Sequence, residues 1–152
     1  MSAASDMSLD WIRKVHAQTV ESLMMELSHI AQALTHSEEQ YRTMEVQLQA
    51  DTETYAQQAR QGLTIEDLLQ WQATLDAQRS ALQQVRAAID HASDLWQQTQ
   101  ERLLVARQEC KLLERVAEQR RSVVRAAHAR REQWATDEAA SRQVSMRSRV
   151  DS

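Results

Sequence analysis

Acid–base or metal chemistry in this chain would fall to five histidines, 22 carboxylates and one thiol. The histidines are His16, His29, His36, His91 and His128. Only His29 and His36 share a helical face, and seven helical residues hold them about 10.5 Å apart, too far for one metal ion. They read as solvated or seam-edge imidazoles. Glu38 and Glu39 are adjacent carboxylates, as are Glu66 and Asp67. Neighbours on a helix point in different directions, so neither pair converges on one substrate atom. A single glycine excludes a glycine-rich phosphate loop. The lone Cys110 cannot form a disulfide within the chain; it reads as a small buried hydrophobe, with a regulatory thiol as the other reading. No catalytic constellation, metal site or cofactor is expected, and the chain does not read as an enzyme.

What must be positioned, then, is a surface. The chain has one glycine, Gly62, and no proline. A compact domain needs many of both for its turns. Ala, Gln, Arg, Glu, Ser and Leu dominate instead, most of them helix formers. Gly62 suits the left-handed position just past a helix end. Thr64 suits the N-cap of the next helix, with Glu66 and Asp67 placing negative charge in its first turn. The stretch reads as the hinge of a helical hairpin.

The second helix keeps a seven-residue repeat. Its a positions are Leu68, Leu75, Leu82, Ile89, Trp96, Leu103, Cys110, Ala117, Val124 and Arg131. Its d positions are Trp71, Gln78, Val85, Ala92, Thr99, Ala106, Leu113, Arg120, Ala127 and Trp134. A repeat sustained this long specifies a left-handed coiled coil. In the first helix Val20, Leu27, Leu34, Tyr41, Leu48 and Tyr55 form one row. Leu9, Leu23, Ile30 and Met44 form the other, interrupted by His16, Ser37 and Asp51. The expected fold is all-α, a long two-helix antiparallel coiled-coil hairpin with an overhanging C-terminal helix. Residues 1–152 read as a single coiled-coil domain, with helix one over about 6–60, the turn at about 61–64 and helix two over about 65–145. Helix one, starting with Asp6 or Ser8 as N-cap, would be about 80 Å long and helix two about 120 Å. Leu9 then faces about Val116, and residues beyond it, Arg120 included, overhang.

Charge divides along the same line. Residues 1–114 carry 9 Lys+Arg against 17 Asp+Glu; residues 115–152 carry 9 Arg against 5 acids. The arginine-rich end reads as a solvated face or a protein-docking face. Interspersed Glu118, Glu132, Asp137 and Glu138 argue against nucleic acid as a partner. Trp134, an aromatic in the overhang, is a candidate anchor. No apolar run approaches the roughly 18 residues of a membrane span, and the first residues lack the apolar stretch of a secretory signal. A cytoplasmic protein is expected.

Two stretches carry a resemblance. In "QGLTIEDLLQWQATLDAQRSAL", residues 61–82, a turn glycine is followed by an aromatic at Trp71 and a Leu–Gln heptad helix. In "LLERVAEQRRSVVRAAHARREQWATDEAASR", residues 112–142, an arginine-rich helix runs into Arg-Glu-Gln and then Asp-Glu, a small residue and Arg. With the hairpin and the missing proline, the chain resembles the FliJ family of flagellar export proteins. Virulence type III secretion stalks share the architecture, and a generic coiled-coil scaffold is the other alternative. The resemblance implies a non-enzymatic stalk inserted in a hexameric export ATPase, contacting the export gate membrane protein and handling export chaperones. It implies a cytoplasmic protein peripherally associated with the inner-membrane export apparatus. Arg120, Arg121, Arg125, Arg130, Arg131 and Trp134 would dock in the ATPase ring. Trp71, Thr74, Gln78 and Ala81 would occupy the gate-docking positions. The chain departs from the family there, with Thr74 where Phe is frequent and Gln78 where Leu is.

Overall fold

A computed structural model describes residues 2–151, of which all but 62–64 and 151 are α-helical. Helix α1 spans Ser2–Gln61 and α2 spans Ile65–Val150. The two form the expected all-α hairpin, with no strand among the described residues. No helix is long and apolar enough to cross a membrane.

The turn is built as its residues dictate. Gly62 has φ +101°, the only positive φ among the described residues. Thr64 caps α2: its Oγ1 accepts from the Asp67 amide at 3.2 Å, and its carbonyl accepts the first helical bond, from Leu68 N at 2.9 Å. One of the orphan amides at the start of α2, that of Asp67, is thereby satisfied by the cap. Arg60 in the last turn of α1 and Glu66 with Asp67 in the first turn of α2 complement the two helix dipoles.

The chain divides into two compact units. One is Gln18–Ala106 and contains the turn. Its helices run antiparallel. Trp71 Nε1 donates to Gln58 Oε1 at 2.8 Å, and its ring tilts 54° to Tyr55 with centroids 6.1 Å apart. Further from the turn, Gln78 Nε2 donates to Asp51 Oδ2 at 2.5 Å, and the Arg86 guanidinium lies over the Tyr41 ring at 5.9 Å. Leu75, Leu103, Ala106 and Thr99 are buried, Thr99 to 2% exposure. Asp51, a polar interruption of the α1 row, accepts from Gln47 as well as Gln78. Seam polar groups are thus used to pair across the helices, which is what makes their burial tolerable.

The other unit is Met1–Ala17 with Arg107–Ser152. Here His16 Nδ1 lies 3.4 Å from Glu109 Oε2. Eleven residues back along α1 and eleven forward along α2, Arg120 Nη1 donates to Ser5 Oγ at 3.0 Å. The expected register, Leu9 beside Val116, fits that spacing. Ala117 is the last buried residue, and everything from 118 to 151 is exposed.

Burial follows the heptad. From Leu68 to Ala117 every a and d residue of α2 is buried or half-buried, including Gln78 and Thr99. Of the residues between, Ala81 alone joins them. The helix ends differ from expectation. α1 begins at Ser2 rather than near Asp6 or Ser8. Ala3 and Ala4 are the best helix formers, and Arg120 also donates to the Ser5 carbonyl at 3.4 Å. α2 continues to Val150, because nothing in "SRQVSMRSRV" breaks a helix, and Arg142 pairs with Glu138 at 3.1 Å.

Two stability effects follow. An added Cβ at Gly62 meets nothing within 4 Å, so Gly62→Ala feels only the left-handed backbone. It is expected to lower stability by about 1 kcal/mol, read as a reduced midpoint of urea unfolding followed by circular dichroism. An unchanged or higher midpoint would contradict the left-handed cap. Leu103→Ala, at a seam position 5% exposed, is expected to cost about 2–3 kcal/mol. A cost near zero in the same assay would mean that the seam does not hold this unit together.

Candidate docking surface

No group of three or more His, Cys, Asp or Glu residues that could hold a metal occurs among the described residues. The residues expected to form a docking end lie on α2 beyond Ala117.

The six residues expected to form a docking end do not share one environment. Arg120 was expected in the unpartnered overhang, and that expectation is corrected: it bonds Ser5 of α1. The cause is the earlier start of α1, which carries its first turn alongside Arg120. Arg121 and Arg125 are tied to Glu118 on their own helix, at 3.4 Å and 2.8 Å. With Leu9 and Val124 they line a groove that also holds Asp6 and Asp10 of α1. Positive charge there is partly balanced before any partner arrives.

Arg130 and Arg131 differ. Neither has an ion-pair partner among the described residues. Both are exposed, and Trp134 is 74% exposed one turn further on. An indole in water beside two uncompensated guanidiniums sets exposed apolar surface next to unpaired positive charge. Exposed arginines individually contribute only about 0–1 kcal/mol, so such a surface acts as a set.

The four positions expected to meet an export gate fall into two rows. Trp71 and Gln78 lie in the seam with α1, bonded to Gln58 and Asp51. Gln78 Oε1 is buried without a partner. Thr74 and Ala81 lie seven residues apart on the adjoining row. Thr74 is exposed, its hydroxyl donating to the Gln70 carbonyl at 2.9 Å, and Ala81 is half-buried.

Ser5, Asp6 and Asp10 were missed as contributors to the arginine-bearing end. The register itself held the signal: continuing Leu9 opposite Val116 one turn towards the N-terminus sets Ser5 opposite Arg120.

No curated protein and no solved structure matches the chain. The family model described as the flagellar FliJ protein matches residues 5–149, nearly the whole chain and both helices. The sequence, the two-helix hairpin and that match agree, and the chain belongs to the FliJ family of flagellar proteins.

Proposed function

We propose that this chain is a non-enzymatic stalk component of the flagellar protein export apparatus. In this reading the part of α2 beyond α1 enters the ring of a hexameric export ATPase. Residues near the turn meet the export gate membrane protein, and the chain handles export chaperones. It works in the cytoplasm, peripherally associated with the inner-membrane apparatus. The observation that carries the reading is the end of α2: a helix with no partner helix, bearing Arg130, Arg131 and Trp134 exposed and unpaired. A long basic helix with one apolar anchor suits a narrow, acidic protein pore better than it suits a small molecule, which needs a concave site. Family membership supports the flagellar setting.

The division among the arginines sharpens the reading. Arg121 and Arg125 already answer to Glu118, and Arg120 to Ser5. Arg130, Arg131 and Trp134 therefore make the larger contribution to ring docking, and the other three position the helix. On the gate side Thr74 and Ala81 supply contact area, while Trp71 and Gln78 hold the backbone that presents them.

Replacing Arg120, Arg121, Arg125, Arg130 and Arg131 together by Glu is expected to abolish binding to the cognate hexameric export ATPase and stimulation of its turnover. Arg130→Glu with Arg131→Glu is expected to account for most of that loss, and Trp134→Ala to weaken binding by about tenfold. Co-sedimentation at low and moderate salt reads all of them, with helicity as the folding control. Binding that persists in the five-fold variant with the same salt dependence would remove this end of α2 from the mechanism.

A further inference from the structure

We propose that α2 carries a second heptad seam, formed by Leu112, Val116, Gln119, Val123 and Ala126, and that this seam receives an amphipathic helix with acidic flanks from another protein. These five residues lie in one compact unit, at successive spacings of four and three. All five are exposed, Val116 the least of the three large ones: Leu112 is 58%, Val116 39% and Val123 68% accessible. None occupies an a or d position of the seam with α1. Scattered exposed hydrophobes are ordinary. Four apolar residues on one face of one helix, in the 4-3 spacing that knobs-into-holes packing uses, form an unpartnered coiled-coil stripe. That spacing selects a helix as occupant, because a strand would read every second residue.

The flanks select its charge. The positions alongside the stripe are Leu113, Arg115, Arg120, Ser122 and Ala127, two cations and no acid; Glu109, one step before Leu112 on the same row, faces His16 of α1 at 3.4 Å. Glu114 and Glu118 lie behind it, and Glu118 is engaged with Arg121 and Arg125. Arg115 has no ion-pair partner among the described residues. Flanking charges set partner choice in coiled coils. A second copy of this chain would bring Arg115 and Arg120 against a flank with no acid to meet them. A helix with glutamates beside its apolar row finds both cations. The proposal goes beyond ring docking and uses none of Arg130, Arg131 and Trp134.

The test titrates the full chain with two fluorescein-labelled synthetic four-heptad peptides that share a leucine seam and carry Glu or Lys at the flanking positions. The Glu peptide is expected to bind saturably at one per chain, about tenfold or more tighter than the Lys peptide. Val116→Gln with Val123→Gln is expected to weaken it about tenfold, with helicity and unfolding midpoint unchanged because both side chains are exposed. Arg115→Glu is expected to narrow the preference between the peptides. Arg130→Glu with Arg131→Glu leaves binding in place, which separates this seam from the ring-docking end. Equal binding of both peptides, binding of neither, or binding indifferent to the Val116 and Val123 substitutions overturns the proposal. So does self-association of the chain that those two substitutions abolish, since that would assign the stripe to a second copy.

Discussion

Each helix of this hairpin has one partner, and the seam between them is the only place to bury side chains. A globular domain distributes its apolar surface over several packed elements. Here the a and d rows carry the load, and among the described residues only five are buried, four in one compact unit and Ala117 in the other. That constraint explains the polar chemistry of the seam. Asp51 and Gln78 are set where they bond each other, and Trp71 gives its indole proton to Gln58. Pairing across two helices fixes register, because a slip of one residue would strand every one of these groups. In a two-helix seam, where apolar contact is thin, such polar pairs specify alignment more sharply than leucines alone.

Unequal helix lengths create the second theme. α1 has 60 residues and α2 has 86, so part of α2 lacks a neighbour. There the heptad loses its purpose: Val124 is exposed, Arg131 occupies an a position that nearer the turn holds leucine, and Trp134, in the same row as the half-buried Trp71, is exposed. Charge changes with it, from acidic to basic. From there the sequence stops burying a seam yet remains helical, and its charge changes sign at the same place. The local ion pairs of Arg121, Arg125 and Arg142 add modest support to that helix without consuming all its cations.

Much of the fold was legible because it rests on rules with a fixed period. Gly62 could be assigned its left-handed φ from its isolation, and Thr64 its cap from the hydroxyl three residues before Asp67. The a and d rows of α2 could be read position by position. The first turn of α1 was harder. Asp6 and Ser8 are ordinary N-cap residues, but the helix runs past them to Ser2, where Ala3 and Ala4 favour it and Arg120 reaches the Ser5 carbonyl and hydroxyl. The same contact removed Arg120 from the overhang. Nor does sequence separate an arginine held by Glu118 from one that is free, since a glutamate at three, four or seven residues offers several geometries. Leu112 and Val123 escaped notice, and Val116 was read only as the residue opposite Leu9, for a different reason: once one heptad row explains a helix, exposed apolar residues on another face look like background.

Function on such a scaffold follows from what two helices can enclose. Catalysis needs several groups from different elements converging within about 3 Å of one atom, with water excluded. A pair of helices packed along one seam turns its remaining side chains outward, and adjacent ones diverge. What it does well is present long rows of side chains at a fixed pitch. One row holds α1 to α2. A second, cationic and tipped with an indole, continues where α1 has ended. A third, apolar between Arg115 and Arg120, has the spacing of a helix-binding face. Rows of different character on one continuous helix let a single chain hold different partners without competition for the same atoms.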